Sequence, residues 1–224
     1  MRINKLLVTL AFSMLFGSGV AVAADFDKGM MANIVGDFKT ALAEWTPLAE
    51  QGDTRAQYRL GTMYEWGQGV LKNDKTAVKW YTLAAEQGGA EGQTALAFMF
   101  GEGQGVLEND KTAVKWYIKA AEQGYALAQS YLGSNYQFGE GVPKDNRRAY
   151  MWYSLSSYNG HWSADNSKKE IAKRMTPADI SKAQNDDRVI TVNFLLVHSS
   201  TVQGPPGKCP CWSPCAACPT TRVM

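Results

Sequence analysis

Cysteine is missing from the long middle of this chain: none occurs between Asp25 and Asn185, and all four lie between Cys209 and Cys218. A disulfide framework or a cysteine-based metal site within that middle is excluded. Histidine is almost absent too, with only His161 and His198 among 224 residues. There is no HExxH, GxSxG, SxxK or Walker loop. The usual local signatures of zinc proteases, serine hydrolases, β-lactamases and nucleotide-binding proteins are therefore not represented. His161 stands beside Trp162 with no acid or nucleophile paired to it by any recognised pattern, and reads as a helix-junction residue.

Charge of one sign is lacking as well. The chain has 23 Lys+Arg and 21 Asp+Glu; Arg2 and Lys5 are the only charges in the first 24 residues, which leaves 21 of each beyond them. Nucleic acid needs a basic excess for its phosphates, so it is a poor partner. No dense run of like charge suits an anionic membrane either.

The longest apolar run, Leu6 to Phe16, falls short of the roughly 20 residues that span a bilayer. With Arg2 and Lys5 before it and Ala21-Val22-Ala23 after it, residues 1–24 read as a cleavable signal peptide, cut near Ala23 or Ala24. No cysteine follows for acylation. The expected location is periplasmic or secreted, with no membrane segment left after cleavage.

What the chain has in plenty is repetition. Gly67 to Gly88, GQGVLKNDKTAVKWYTLAAEQG, returns as Gly103 to Gly124 with 19 of 22 positions identical, and more loosely as Gly139 to Gly160. Trp80, Trp116 and Trp152 are in register at 36-residue intervals. Self-similarity at such a period marks a repeat array whose units share one core.

Each unit reads as two helices. In the first, Ala56, Leu60, Gly61 and Tyr64 recur as Gly92, Leu96, Ala97 and Phe100, then as Ala128, Leu132, Gly133 and Tyr136. The small residue at 61, 97 and 133 predicts close helix approach. Gly67 and Gly69 end the helix, and Asp74 is the expected N-cap of the next. The Gly-x-Gly turns lack the third glycine and the preceding strand of a nucleotide loop. The second helix shows an apolar face of Ala77, Trp80, Tyr81, Ala84 and Ala85. The tryptophans are expected in the core.

Before the repeats, residues 25–53 form a divergent opening unit. One weak helical pattern is Phe26, Met30, Ile34 and Val35; a second is Phe38, Leu42, Trp45, Leu48 and Ala49. The repeats proper are expected at 54–88, 90–124 and 126–160. Residues 161–184 read as a C-terminal cap, with one helix over Lys168 to Met175 and another opened by Thr176-Pro177-Ala178-Asp179.

From 185 the periodicity is lost, and the tail reads as either disordered or foreign to the fold. Residues 185–224 hold a β-prone run, all four cysteines and five of eight prolines. Cys209, Cys211, Cys215 and Cys218 are open to three readings: disulfides in three possible connectivities, half a zinc site at Cys215-x2-Cys218, or a non-functional tail. A reading-frame change near codon 185 is the favoured explanation, because local consistency ends within one turn of helix. The tail is then dispensable.

Ala56 to Gly88 and its copies, with the Gly-x-Gly-Val turn, the Trp-Tyr pair and the Ala-Ala-Glu-Gln-Gly ending, resemble the Sel-one-like repeat family of tetratricopeptide-like α-solenoids. The likeness covers about Asp37 to Gly160, and Met175 to Gln184 resembles the end of secreted members. It implies an all-α solenoid of antiparallel helix pairs with a helical cap. It also implies an adaptor or scaffold for another protein, often in envelope assembly, polysaccharide systems or signalling. Cysteine-rich relatives are linked to penicillin binding and β-lactam hydrolysis, but the feature that carries this, a cysteine pair in each repeat, is missing here.

The resulting expectation is a non-enzymatic, periplasmic protein-binding solenoid with no catalytic residue, metal or cofactor. Positions that vary between copies while the core repeats are natural places for specificity. Arg59, Trp66, Phe98, Tyr131 and Phe138 are large side chains at such positions, and aromatics and arginine dominate interface hot spots.

Overall fold

The computed structural model describes residues 24–185. The signal sequence, the tail and its cysteines lie outside the described residues. Those described form α1 (Phe26–Ile34), α2 (Phe38–Glu50), α3 (Thr54–Trp66), α4 (Asp74–Glu86), α5 (Ala90–Gly101), α6 (Asp110–Glu122), α7 (Ala126–Phe138), α8 (Asn146–Tyr158) and α9 (Ala164–Ala172). A further helical stretch covers 177–185. No strand occurs among the described residues. Short loops reverse the chain between successive helices, giving an all-α solenoid of helix pairs. The described residues divide into two compact units, 24–92 with 104–106, and 93–103 with 107–185.

In the first unit, Asp25 caps α1 by accepting from the N–H groups of Asp27 (2.8 Å) and Lys28 (3.2 Å). Trp45 is the centre of the core, fully buried. Its ring lies 5.9 Å from that of Phe26, and its indole N–H donates to the Phe26 carbonyl at 3.1 Å. Gly29 faces this ring; a Cβ there would fall on it. The weak helical pattern read at Phe26, Met30, Ile34 and Val35 does form α1, but its last two members are 68% and 76% exposed. Five and six positions beyond Gly29, at ~100° per residue, put them on the far side of α1.

Lys28 pairs with Glu44, whose other oxygen accepts the Asp25 N–H at 2.9 Å, so one largely buried carboxylate ties α1 to α2. The Lys28 ammonium, then the Asp25 N–H, hold the Glu44 carboxyl below its ordinary pKa.

The inter-helix turn is held the same way in all three copies. The N–H of Asn73 donates to the Tyr64 carbonyl, Asn109 to Phe100 and Asp145 to Tyr136, each at 2.8 Å. Gly67 ends α3 in the left-handed conformation at φ 67°. Gly69, at φ 70°, has a second reason to be glycine: a Cβ would come within 2.6 Å of the Phe38 Cβ. The N-cap is Asn73 and not Asp74. Asn73 has the extended backbone a cap needs, and its side chain accepts from the Thr76 N–H at 3.0 Å. Asp74 is the first helical residue, where its charge suits the helix dipole. Asn109 caps α6 likewise, and Asp145 caps α8.

The Ala-Ala-Glu-Gln-Gly ending also has a physical meaning. Gly88 N–H donates to the Ala85 carbonyl (3.0 Å) and Gly89 N–H to the Ala84 carbonyl (2.9 Å), a C-terminal cap closed through a glycine. The Gln87 amide donates to Gln57 at 2.8 Å, and buried Gln57 donates to the Ala49 carbonyl at 3.0 Å. In the second unit Gln123 donates to Gln93 at 2.8 Å and Asn159 to Gln129 at 2.9 Å. A buried glutamine on each first helix thus finds its partner 30 residues on.

The tryptophan expectation needs correction. Trp80 and Trp116 are only half-buried, and the core aromatic of each second helix is the next residue: Tyr81, Tyr117 and Tyr153 are 0%, 5% and 4% exposed. The alanines of this helix centre its packed face on the tyrosine, so the tryptophan lies at the edge. Trp116 there carries the Lys119 ammonium 4.0 Å above its ring. Trp152 alone of the three is buried. Close approach at the small position is as expected: a Cβ on Gly133 would meet the Tyr153 ring at 2.7 Å.

The first cap helix starts at Ala164 and ends at Ala172, earlier than the expected 168–175, with Ile171 fully buried. Thr176 then caps the helical stretch as expected. Its hydroxyl accepts the Asp179 N–H at 3.2 Å and donates to the Asp179 carboxylate at 2.7 Å, so one hydroxyl joins both groups of Asp179.

Candidate functional site

The five candidate residues do not form one kind of surface. In the first unit Trp66 ends α3 with 70% of its surface exposed, and Leu71 in the following loop is 90% exposed. Arg59 is half-buried, its guanidinium 5.5 Å from the Tyr58 ring centroid. In the second unit Phe138 ends α7 at 61% exposure. Phe98 and Tyr131 differ from these: both are half-buried, with rings 6.1 Å apart. Tyr131 also stacks on Tyr117 at 5.1 Å.

These three aromatic rings are walls of a cleft of about 290 Å³ formed by α5, α6 and α7. The remaining lining is largely acidic: Glu102, Glu108, Asp110 and Glu140, with Ser134 and Asn135 beside them. No ion pair among the described residues engages any of the four carboxylates. Burial pushes the Tyr117 hydroxyl far above the usual tyrosine range, and Tyr131, Glu102 and Glu140 add to the shift.

Comparison of the three tyrosine corners explains the cleft. Tyr81 donates to Glu65 at 2.5 Å, and Tyr153 to Gln137 at 2.8 Å. Each acceptor stands 16 residues before its tyrosine. The same step back from Tyr117 reaches Gly101, which has no side chain to offer. The Tyr117 hydroxyl has no hydrogen-bond partner among the described residues. A Cβ on Gly101 would find only Ala113, at 3.8 Å, so the space there is open.

Sequence reasoning singled out Phe98 and Tyr131 but missed Gly101, Tyr117 and the four acids. A signal for them was present. In register, Glu102 replaces Trp66 and Phe138, and Glu108 replaces Lys72 and Lys144. The second copy alone is acidic at both places.

A second cleft, of about 440 Å³, is lined by Lys144, Asp145, Asn146, Arg147, Arg174, Met175 and Asp179. Its charges are mixed, and the Asp145 carboxylate is already occupied capping α8. His161 meets the Ser163 hydroxyl at 3.2 Å and stacks against Trp162. No carboxylate completes that pair among the described residues, and neither cleft includes it. No group of three His, Cys, Asp or Glu side chains is placed to hold a metal among the described residues. None of the described helices is long and apolar enough to cross a membrane.

The family model for the Sel1 repeat matches residues 54–89, 90–125 and 126–161. A Sel1 repeat protein from Oxalobacter formigenes, solved by crystallography, is 34% identical with a TM-score of 0.59. The match covers 62% of this chain and 58% of that one, so this chain spans less than two thirds of that protein. A protective antigen of uropathogenic Escherichia coli with an SLR fold is 23% identical over 83% of this chain and 49% of its own, with a TM-score of 0.47. Cysteine-rich protein B of Helicobacter pylori is 19% identical over 58% of this chain and 93% of its own, at 0.48. No curated protein matches the chain.

Proposed function

This chain is a Sel1-repeat α-solenoid, and from that premise we propose that it is a non-enzymatic adaptor that holds a protein partner in the bacterial periplasm. Sel1-repeat proteins are in general protein-interaction scaffolds. The observation that carries the reading is the exposure of Trp66 and Phe138. Both stand at the last position of a first helix, where the shared core pattern requires no large apolar residue. Exposed aromatics of this size at a recurring position are what interface hot spots are made of. Export rests on the signal-peptide pattern of residues 1–24. Envelope or exopolysaccharide assembly, or signalling, is the proposed setting.

The test is capture from periplasmic extract by the purified protein and by a Trp66→Ala/Phe138→Ala variant of equal helicity. The expected outcome is one or a few proteins retained by the first and lost from the second. The same proteins retained equally by both would refute the role given to Trp66 and Phe138. Recovery of the exported protein in the cytoplasmic fraction, with its first 24 residues uncut, would refute the location.

A further inference from the structure

We propose that the cleft of the second unit is a socket for one cationic side chain, an arginine, presented by the protein partner; this deepens the adaptor reading and rests on it. In the first and third copies the core tyrosine is satisfied by a side chain of the same protein, Glu65 or Gln137. In the second, Gly101 withdraws that side chain and leaves the hydroxyl of Tyr117, a residue 5% exposed, without a partner beside an open cleft. The hydroxyl oxygen itself opens on the cleft, where a donor carried by a ligand can reach it.

Charge then selects the ligand. Copies one and three carry Trp66 and Lys72, or Phe138 and Lys144, where copy two carries Glu102 and Glu108. Those two acids join Asp110 and Glu140 around the cleft, and no basic side chain lines it among the described residues. Three rings, Phe98, Tyr117 and Tyr131, line it as well, with Tyr131 stacked on Tyr117. Aromatic rings attract a cation over their faces. A guanidinium is flat enough to lie along them. Its five donors suffice for carboxylates and for the tyrosine oxygen together, which an ammonium does less well. Size agrees. At about 290 Å³ the cleft is at the bottom of the roughly 300–1,000 Å³ range of small-molecule pockets, room for a side chain rather than a large metabolite.

The test uses the full chain and a defined probe, a blocked Gly-Gly-Arg-Gly-Gly peptide, followed by NMR chemical shifts. Its citrulline counterpart, which is neutral with the same shape, and choline chloride are run beside it. The socket predicts saturable shifts confined to α5, α6 and α7 with the arginine peptide, and binding about tenfold weaker or less with citrulline. Gly101→Gln, which installs the third copy's acceptor in a space that admits it, should abolish the shifts. Glu108→Lys should do the same without touching the core. No saturable shift with the arginine peptide, equal binding of citrulline, or undiminished binding by both variants overturns the proposal. So does saturation by choline where the peptide fails, since the occupant would then be a free small cation. Partner capture that survives Gly101→Gln but not Trp66→Ala/Phe138→Ala removes the socket and leaves the adaptor reading standing.

Discussion

The tyrosine corner of the first unit and that of the second are built from nearly the same sequence and end in opposite conditions. Tyr81 is fully buried and donates to Glu65. Tyr117 is buried almost as well and donates to nothing described, because Gly101 stands where an acceptor would be. Nineteen identities in 22 positions fix the second helix and its turn. The difference comes from one residue on the first helix. In a repeat protein the scaffold is thus set by what the copies share, and a site by a single position at which one copy departs.

The largest expected effect tests how closed the first unit is. Trp45→Ala should lose about 3–5 kcal/mol, since it removes a fully buried ring and its hydrogen bond. Trp116→Ala in the second unit should lose only about 1–2 kcal/mol, because its ring is half-buried. Denaturant melts that rank these two the other way would show that the repeated tryptophan, not the tyrosine beside it, holds the core.

Glycines give the next contrast. Gly133→Ala drives a methyl group into the Tyr153 ring and should cost about 1–3 kcal/mol. Gly101→Ala meets open space in a helix and should gain up to about 1 kcal/mol. A loss at Gly101 in the same melts would mean the cleft is not the vacancy described.

Removing single hydroxyls sharpens the comparison directly. Tyr81→Phe strips Glu65 of its donor and should cost about 1 kcal/mol, whereas Tyr117→Phe breaks no hydrogen bond and should cost about nothing. Equal losses in thermal unfolding would place an unseen partner on Tyr117.

The smallest effect is one of pH. The carboxyl of Glu44 titrates below its ordinary value in the folded protein because of Lys28 and the Asp25 N–H. Its contribution is therefore present above the unfolded glutamate pKa, near ~4.3, and is lost as pH falls through the lower folded value. Wild type should shed its stability advantage over Glu44→Gln on acidification from pH 6 to 3, most of it below the unfolded glutamate value. A constant difference across those melts would mean that the carboxylate's charge contributes nothing.

Much of this fold was legible in the chain of residues. Helix pairs, the 36-residue period, the glycine turns and the Thr176 cap all follow from local rules: apolar spacing, left-handed glycine, and side chains that satisfy a helix end. Small errors arose where two neighbours competed for one role. Asn73 and Asp74 both suit a cap, and backbone conformation chose Asn73. Trp80 and Tyr81 both suit a core, and the direction of the alanine face chose Tyr81. In the weak pattern of α1 the residue that faces Trp45 is Gly29, which no apolar spacing points to.

The sequence by itself determined the class of fold, the repeat unit and the list of side chains the core does not need, since each depends on contacts a few residues apart. Only the tertiary structure decided what those side chains do. Trp66 and Phe138 remain in solvent, while Phe98 and Tyr131 close on Tyr117 over a space that Gly101 leaves empty. Gly101 and Tyr117 are 16 residues apart and on different helices, so the missing hydrogen bond becomes visible only when α5 and α6 are folded and the acceptors of the other two tyrosines can be laid beside it.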